Sequence, residues 1–290
     1  RGQTRFSNCR KASQSPFFPV PVFRGNGEAM HMPVKDSFEG LARFYDPLML
    51  HVNYDRWYLV AGAVAQLLPQ SFLHLDAACG TGVLLEKLRR DNWRSFGLDL
   101  SPGMLHACKR RDNAARTVCA DLRAIPLCGS LDYVTCLFDS LNFLLAEDDL
   151  YCGIAQLAGA LRPQGILYFD VVTERMVLEH FAGQKWTEKN EGVTSSWSCT
   201  YDRHTQTAAT SIRVNSGETH TLYERMYPLD TVYDAVKQAG CEILGVHDAQ
   251  TWKKPGRKTI RADIIAVRGS AKAYARDFKN VQRLVKGMLS

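Results

Sequence analysis

The chain has no long apolar run. No stretch approaches the roughly 18 consecutive apolar residues that a membrane-spanning helix needs, which argues for a cytoplasmic protein without a membrane span. It has no C-x-x-C pair either. Nine cysteines, at positions 9, 79, 108, 119, 128, 136, 152, 199 and 241, are scattered through the chain. No zinc-ligand spacing results, and several of the cysteines sit in apolar runs, so the pattern reads as buried, reduced thiols in a cytosolic protein rather than a disulfide framework. Internal repeats and low-complexity tracts are lacking as well, which excludes solenoids and biased arrays.

Acidic residues are missing from the first 27 positions. Residues 1–30 hold five Arg/Lys against Glu28, and residues 268–290 hold six against Asp277. Because these ends carry +9 between them and the whole chain is +6, the segment 31–267 is at −3. A nucleic-acid-binding core is expected to hold the basic excess itself, so nucleic acid is disfavoured as a partner, though not excluded. Residues 1–35 read as a poorly ordered basic tail without the apolar core of a secretory signal. They fit an organellar transit-like segment, or sequence upstream of a start at Met30 or Met32.

Two further absences bear on the segment "HLDAACGTGVLLEKL" (74–88), a strand, a Gly-x-Gly turn and a helix. The dinucleotide fingerprint needs a third glycine for close helix–strand packing, and that position is Leu85. The phosphate-loop pattern needs a G-K-[ST] that does not follow. What is present is a series of acids at strand ends: Asp76, Asp99 in "GLDLS" and Asp121 in "CADLRAIPL". In an open parallel sheet the carboxyl ends of the strands share one crevice. Gly80 and Gly82 let a ligand approach the backbone there. Asp99 is placed to accept both ribose hydroxyls of a nucleoside, and Asp121 to accept an adenine amino group, with Leu122 giving its amide. Asp76 is placed to organise the turn and the amino end of the ligand, and Met104 to lie against the adenine face. Any one of these acids alone is ordinarily a cap or a solvated loop residue. Three in register around a Gly-x-Gly turn imply an adenosine without a phosphate, namely S-adenosylmethionine.

The rest of the pattern supports such a crevice. Strand-like and helix-like segments alternate from "FLHLDA" to "QGILYFDVV", which predicts an α/β fold with a parallel, doubly wound sheet. "DSFEGLARFYDPLML" and "NYDRWYLVAGAVAQLL" precede it with helical spacing. Past residue 175 come three strand-like runs without intervening helices, predicting a small antiparallel β insertion after the fifth strand, over about 176–229. A helix and two more strands close the domain at about 268. The final segment 269–290, ending in "AKAYARDFKNVQRLVKGMLS", predicts a basic amphipathic helix with Tyr274, Phe278, Val281, Val285 and Met288 on one face. It docks on its own domain or on a partner subunit, making a homodimer a candidate assembly; a membrane surface is the lesser alternative.

Over about residues 38–268 the chain resembles class I S-adenosylmethionine-dependent methyltransferases. "LDAACGTG", "GLDLSPGML" and "ADLRAIPL" are similar to that superfamily's glycine, ribose and adenine motifs. The resemblance implies a Rossmann-like sheet of seven mostly parallel strands. "FYDPLMLHVNYDRW", "LFDSLNFLL" and "LYERMYPLDTVYDAVKQAGCEILGV" further resemble bacterial small-molecule methyltransferases of the sugar-amine N-methyltransferase type. That likeness carries cofactor contacts onto Tyr45, Trp57, Ala78, Leu100 and Phe138, and an acceptor-side role onto Tyr54. Ala78 stands where the family usually has glycine.

The region after the fourth strand lacks the N/D-P-P-Y/F of adenine- or glutamine-directed enzymes and the Pro-Cys of cytosine-C5 enzymes. A divalent-metal triad is not evident, so no metal is expected. A sulfonium is an activated donor, so the protein needs mainly to align the acceptor and exclude water. Asp139 in "LFDSLNF" sits where it could position the acceptor or take its proton, or else cap the next helix. His180, Trp186, Arg225 and Tyr227 on the insertion and its return strand are candidates for acceptor contact or for packing. The expected activity is methyl transfer to an amine or hydroxyl of a small-molecule acceptor. The alternatives are an RNA or protein methyltransferase, favoured by the basic tails and "WKKPGRK", and a non-catalytic cofactor-binding protein.

Overall fold

The computed structural model describes residues 36–289 and, separately, a two-stranded antiparallel ladder of β1 (Val22–Phe23) and β2 (Ala29–Met30). The remainder of the basic tail expected over 1–35 lies outside the described residues, as does Cys9.

The main unit opens with a 3-10 turn (Ala42–Phe44), a short α1 (Tyr45–Leu48) and α2 (Tyr54–Ala65), rather than with a first continuous helix. Pro47 accounts for the break, because it has no N–H to return to the carbonyl of Arg43. Asn53 then caps α2, its side chain accepting from the Arg56 amide at 3.3 Å.

Five strands and four helices follow in order: β3 (Leu73–Ala77), α3 (Val83–Arg90), β4 (Arg94–Asp99), α4 (Pro102–Arg111), β5 (Thr117–Cys119), β6 (Leu131–Cys136), α5 (Glu147–Ala160), β7 (Leu161–Val172) and α6 (Glu174–His180). Ser101 caps α4 through the Met104 amide, with Pro102 at the first helical position. The insertion comprises β8 (Lys185–Asn190), β9 (Val193–Asp202), β10 (Thr207–Val214) and β11 (Thr219–Arg225), paired antiparallel in the order β11-β10-β9-β8. It has one strand more than the sequence suggests, and α6 precedes it. "KWTEKN" of β8 is an edge strand in which Lys185, Thr187 and Lys189 are exposed and Trp186 is the one apolar residue, so its apolar signature is weak.

After α7 (Leu229–Gln238), β12 (Cys241–Asp248) and β13 (Arg261–Arg268) complete a seven-stranded sheet of order β12-β13-β7-β6-β3-β4-β5. β3 to β7 run parallel, and β13 runs antiparallel to both neighbours. The last helix is α8 (Ala275–Leu289).

Strand alternation divides the core into two layers. Val134, Leu167 and Ile264 face Ile154 and Leu157 of α5 and Val232 and Val236 of α7. Tyr133, Tyr168 and Ile265, one residue along each strand, face α2, α3 and α8. Phe278, Val281 and Val285 of α8 are buried in this second layer, whereas Met288, expected on the same face, is exposed. The Phe278 ring lies against Gly245 of β12, where an added β-carbon would come within 2.6 Å of it. No described helix is long and apolar enough to cross a membrane. Cys79, Cys108, Cys119, Cys128, Cys136, Cys199 and Cys241 are free thiols.

Phe278→Ala, which empties the space over Gly245, should lower unfolding free energy by about 3 kcal/mol. Urea denaturation with an unchanged slope would show it; an unchanged midpoint would mean that α8 contributes little to the core.

Candidate active site

The carboxyl ends of β3, β4, β6 and β7 meet along one edge, and β13, running the other way, brings its first residue to the same place. The glycine turn after β3 is built from left-handed residues: Ala78 at φ +58°, Gly80 at +54° and Gly82 at +78°. Ala78 carries a β-carbon in that conformation, a strain of about 1–2 kcal/mol. A β-carbon on Gly82 would come within 2.4 Å of Cys108 Sγ, while one on Gly80 would meet nothing within 4 Å. Gly80 is therefore the open place in the turn.

Its amide is already engaged. Gly80 N–H donates to Asp99 Oδ2 at 2.8 Å, and Gly82 N–H donates to the Cys79 carbonyl at 2.9 Å. Asp99 Oδ1 accepts from the Ser101 amide at 2.9 Å. A phosphate placed here would find these amides occupied and a carboxylate in front of it. Hydroxyl donors would find free lone pairs on the same carboxylate. Burial pushes Asp99 up to about 6, against the pull of the Ser101 and Gly80 amide bonds.

Asp76 is buried and pushed up to about 7 by that burial, while accepting from Thr135 Oγ1 at 2.8 Å. Thr135 Oγ1 lies 3.0 Å from His74 Nε2, and His74 Nδ1 lies 2.9 Å from Ser95 Oγ. Burial lowers His74 to about 3, so the ring is neutral. With Asp76 ionised, the donors run in one direction from Ser95 through His74 and Thr135 to the carboxylate, across β4, β3 and β6.

Asp121 is less open than the sequence suggests. Arg123 takes it from three sides, by its amide at 2.8 Å, Nε at 3.0 Å and Nη2 at 2.7 Å, and reaches Asp149 at 3.0 Å. Two bonds fall on Oδ1 and one on Oδ2, which keeps a lone pair for one further donor. Met104 and Leu122 are buried beside this edge, and Leu100 is exposed, its carbonyl 3.3 Å from Cys119 Sγ.

The segment before α2 is strapped to the glycine turn. Thr81 Oγ1 donates to Asp46 Oδ1 at 2.6 Å, and Arg111 pairs with the other Asp46 oxygen while donating to the Thr81 carbonyl at 3.1 Å. The Tyr45 and Tyr54 hydroxyls are near neighbours. Burial, then Tyr54, Asp139 and Asp99, hold the Tyr45 hydroxyl well above its ordinary value. It thus lies between the acids after β4 and β6.

Past β6 the backbone takes two consecutive left-handed residues, Phe138 at φ +61° and Asp139 at +53°. Asp170 of β7 holds this bend by accepting from the Phe138 amide at 2.6 Å. Arg261, the first residue of β13, pairs with Asp170 and donates to Asp139 at 3.0 Å. Its guanidinium also lies over Trp57 and Phe138, 5.4 and 5.6 Å from their ring centres. Asp139 makes no side-chain cap to the turn that follows it. Burial raises Asp170 to about 6, with Arg261 opposing. Trp57 Nε1 is buried without a hydrogen-bond partner, as is Glu224 Oε1 of β11. A second buried pair, Arg56 with Asp263, stands behind this one, with the Tyr168 hydroxyl donating to Asp263 at 3.0 Å.

The structure brings Tyr45, Tyr54, Trp57, Phe138 and Asp139 together near the glycine turn. Four other candidates have partners elsewhere. His180 is exposed at the end of α6, beside Phe181. Trp186 stacks on Trp197 at 5.5 Å. Arg225 donates to the Leu145 carbonyl at 3.1 Å and lies over the Tyr227 ring, whose hydroxyl donates to the Leu144 carbonyl. Sequence reasoning missed Arg123, Asp170, Glu224 and Arg261. Asp170 ends "LYFD" much as Asp76 and Asp99 end their strands, so the strand-end rule could have found it. Glu224 and Arg261 depend on which segments meet, and Arg123 on the direction its side chain takes two residues from Asp121.

Comparisons with known proteins bear on the family and the fold. A family model described as a methyltransferase domain matches residues 75–165. A putative methyltransferase of Bacillus subtilis is 27% identical over 235 residues, covering 77% of this chain and 94% of that protein. One from Geobacillus is 30% identical over 169 residues, covering 56% of this chain and 68% of that protein. A dTDP-4-amino-2,3,4,6-tetradeoxy-D-glucose N,N-dimethyltransferase of Saccharopolyspora spinosa is 32% identical over 149 residues, covering 47% of this chain and 59% of its own. Among solved structures, an S-adenosylmethionine-dependent methyltransferase from Clostridium acetobutylicum has TM-score 0.70 at 22% identity, covering 81% of this chain and 100% of that one. An amino pentose methyltransferase from Micromonospora echinaspora, solved with S-adenosylmethionine bound, has TM-score 0.61 at 21% identity, covering 82% and 100%. These two are likenesses of fold.

Ala78→Gly should leave stability unchanged or raise it by up to about 1 kcal/mol, because relief of the left-handed strain offsets the added freedom of the unfolded chain. A fall of about 1 kcal/mol in urea denaturation, usual for Ala→Gly within a helix, would show that the turn is unstrained.

Proposed function

The chain belongs to the class I S-adenosylmethionine-dependent methyltransferases, and on that premise we propose that its acceptor is an amine on a small molecule of the nucleotide-linked amino-sugar kind. The observation that carries this reading is the charge at the acceptor side. Asp139 and Asp170 share the single guanidinium of Arg261, so the place beyond β6 suits a nitrogen that becomes positive during reaction better than a neutral hydroxyl. Relatives that are sugar-amine dimethyltransferases support the same class of acceptor.

The residues fit the cofactor. Asp99 takes the ribose hydroxyls on its free lone pairs, Gly80 gives the open approach, Met104 and Leu122 flank the adenine, and Asp121 takes the amino group on its remaining lone pair. Tyr45 and Trp57 enclose the site from the strap, with Trp57 Nε1 free to donate. The cofactor supplies an activated methyl group, so the protein's work is alignment, exclusion of water and control of one proton.

Beyond the ends of β12 and β13, the loop between them exposes Lys253, Lys254, Arg257 and Lys258, none in an ion pair among the described residues. This rim suits the phosphates of a nucleotide-linked acceptor. It also carries the second reading, an RNA acceptor, whose binding would fall steeply with salt.

Two measurements test the proposal. Asp99→Ala should weaken S-adenosylmethionine binding at least about tenfold, the loss of about 1.5–3 kcal/mol expected for a charge-assisted hydrogen bond. Because the accepting form is the carboxylate and burial raises Asp99 to about 6, wild-type affinity should fall as pH drops below about 6 and be flat above it. Calorimetry giving equal affinities, or no pH dependence, would remove Asp99 from the site. Incubation with labelled S-adenosylmethionine and dTDP-3-amino-3,6-dideoxy-α-D-glucopyranose should add one or two methyl groups to the sugar nitrogen by mass spectrometry. Labelling of RNA or of hydroxyl acceptors alone would overturn the amine reading.

A further inference from the structure

Glu224 stands out among the groups not yet given a role. It lies near the end of β11, on the same strand face as Leu222, which is buried in the cluster that also holds Leu41, Leu48 and Trp197. That face of the insertion turns toward the main sheet, and it brings the Glu224 carboxyl beside that of Asp139. Oε1 of Glu224 is buried and has no hydrogen-bond partner. A buried carboxyl oxygen without a donor is costly unless a proton or a ligand satisfies it. No cation pairs directly with Glu224 among the described residues: Arg261 pairs with Asp139 and Asp170, and the neighbouring Arg225 points to Leu145 and Glu147.

We propose that Glu224 and Asp139 form a carboxyl pair that shares one proton in the free enzyme, seats the acceptor nitrogen and takes the proton released by its methylation. This rests on the amine reading above and deepens it. The pair begins with one proton and one negative charge, and Arg261 holds its Asp139 half in place. A neutral acceptor amine donates an N–H to the pair and turns its lone pair toward the methyl carbon. The new N–C bond forms as the C–S bond breaks, with the bonding electrons going to sulfur. The nitrogen, now positive, passes one proton to the pair, which ends with two protons and no charge. Charge is conserved: the donor's positive charge and the pair's negative charge are lost together.

The surroundings favour such sharing. Burial, and then Asp139, hold the Glu224 carboxyl well above the ordinary carboxylate range, with Arg261 opposing. The other titratable groups turned toward the pair are Asp170 on β7, Tyr45 and Tyr54 on the strap, and Cys199 on β9. A hydroxyl acceptor would have to give up its own proton as it attacks, and the Asp139 half of the pair is already engaged by Arg261. The pair therefore selects for nitrogen.

The test begins with a readout that needs no acceptor. Difference infrared spectra of the full chain at pH 7, wild type minus Glu224→Gln, should show a protonated carboxyl band that shifts when S-adenosylhomocysteine and dTDP-3-amino-3,6-dideoxy-α-D-glucopyranose are both added. Absence of that band overturns the assignment whatever the enzyme methylates. With the same amine as acceptor, Glu224→Gln should lower kcat/KM at least about thirtyfold, within the range for loss of a general base. It should also remove the acidic limb of the pH profile and leave S-adenosylmethionine affinity within twofold. Glu224→Asp, which keeps the charge, should retain the limb. Wild-type turnover of the amine with Glu224→Gln unimpaired overturns this assignment alone. Wild-type turnover confined to hydroxyl acceptors overturns the amine reading and this assignment with it, so the two failures are told apart.

Discussion

The pairing of Arg261 with Asp170 is the constraint on which the bend past β6, and the acceptor site proposed there, depend. Asp170 fixes the Phe138 amide, and that bond holds two adjacent residues in left-handed conformations that β-carbons disfavour. Arg261 neutralises the buried Asp170 and continues to Asp139, so one guanidinium settles both the backbone bend and the direction of the acid that follows it. Its aromatic neighbours, Trp57 and Phe138, keep water away and strengthen the charges they enclose. Without the cation, the carboxyls gathered at this edge would repel one another.

The donor side is organised by a different economy of hydrogen bonds. Asp99 occupies the amide that a phosphate would otherwise use, and leaves its remaining lone pairs facing the turn for hydroxyl donors. The strap around Asp46 ties this loop to the N-terminal segment through Thr81 and Arg111. Donor and acceptor sides meet at Tyr45, which is close enough to both Asp99 and Asp139 to feel the charge of each.

Much of the donor side was legible in the sequence, because its signals are local. A missing third glycine at Leu85 and acids at the ends of successive strands are read within a few residues of each motif. The alternation of strands and helices was legible for the same reason, since period-2 and period-3.6 patterns are short-range. The acceptor side was not. Arg261 lies 122 residues from Asp139 along the chain, and Glu224 sits on a strand whose partner is set by the folding of the insertion. The engagement of Asp121 by Arg123 was also invisible, although the two are neighbours, because a side chain's direction depends on the bend of the backbone between them. β8 escaped notice because an edge strand needs no apolar face, and the break at Pro47 was visible only as a missing donor.

The reversed direction of β13 has a consequence for how the enzyme comes into being. Parallel strands deliver their last residues to the ligand edge, but this strand delivers its first, and it does so from late in the chain. A ribosome that has made the glycine turn, Asp99 and the whole insertion has made Asp139 and Asp170 but not yet Arg261. The counter-ion arrives last, with the strand that zips between β7 and β12. The bend past β6 therefore gains its counter-ion only with the strand that completes the sheet.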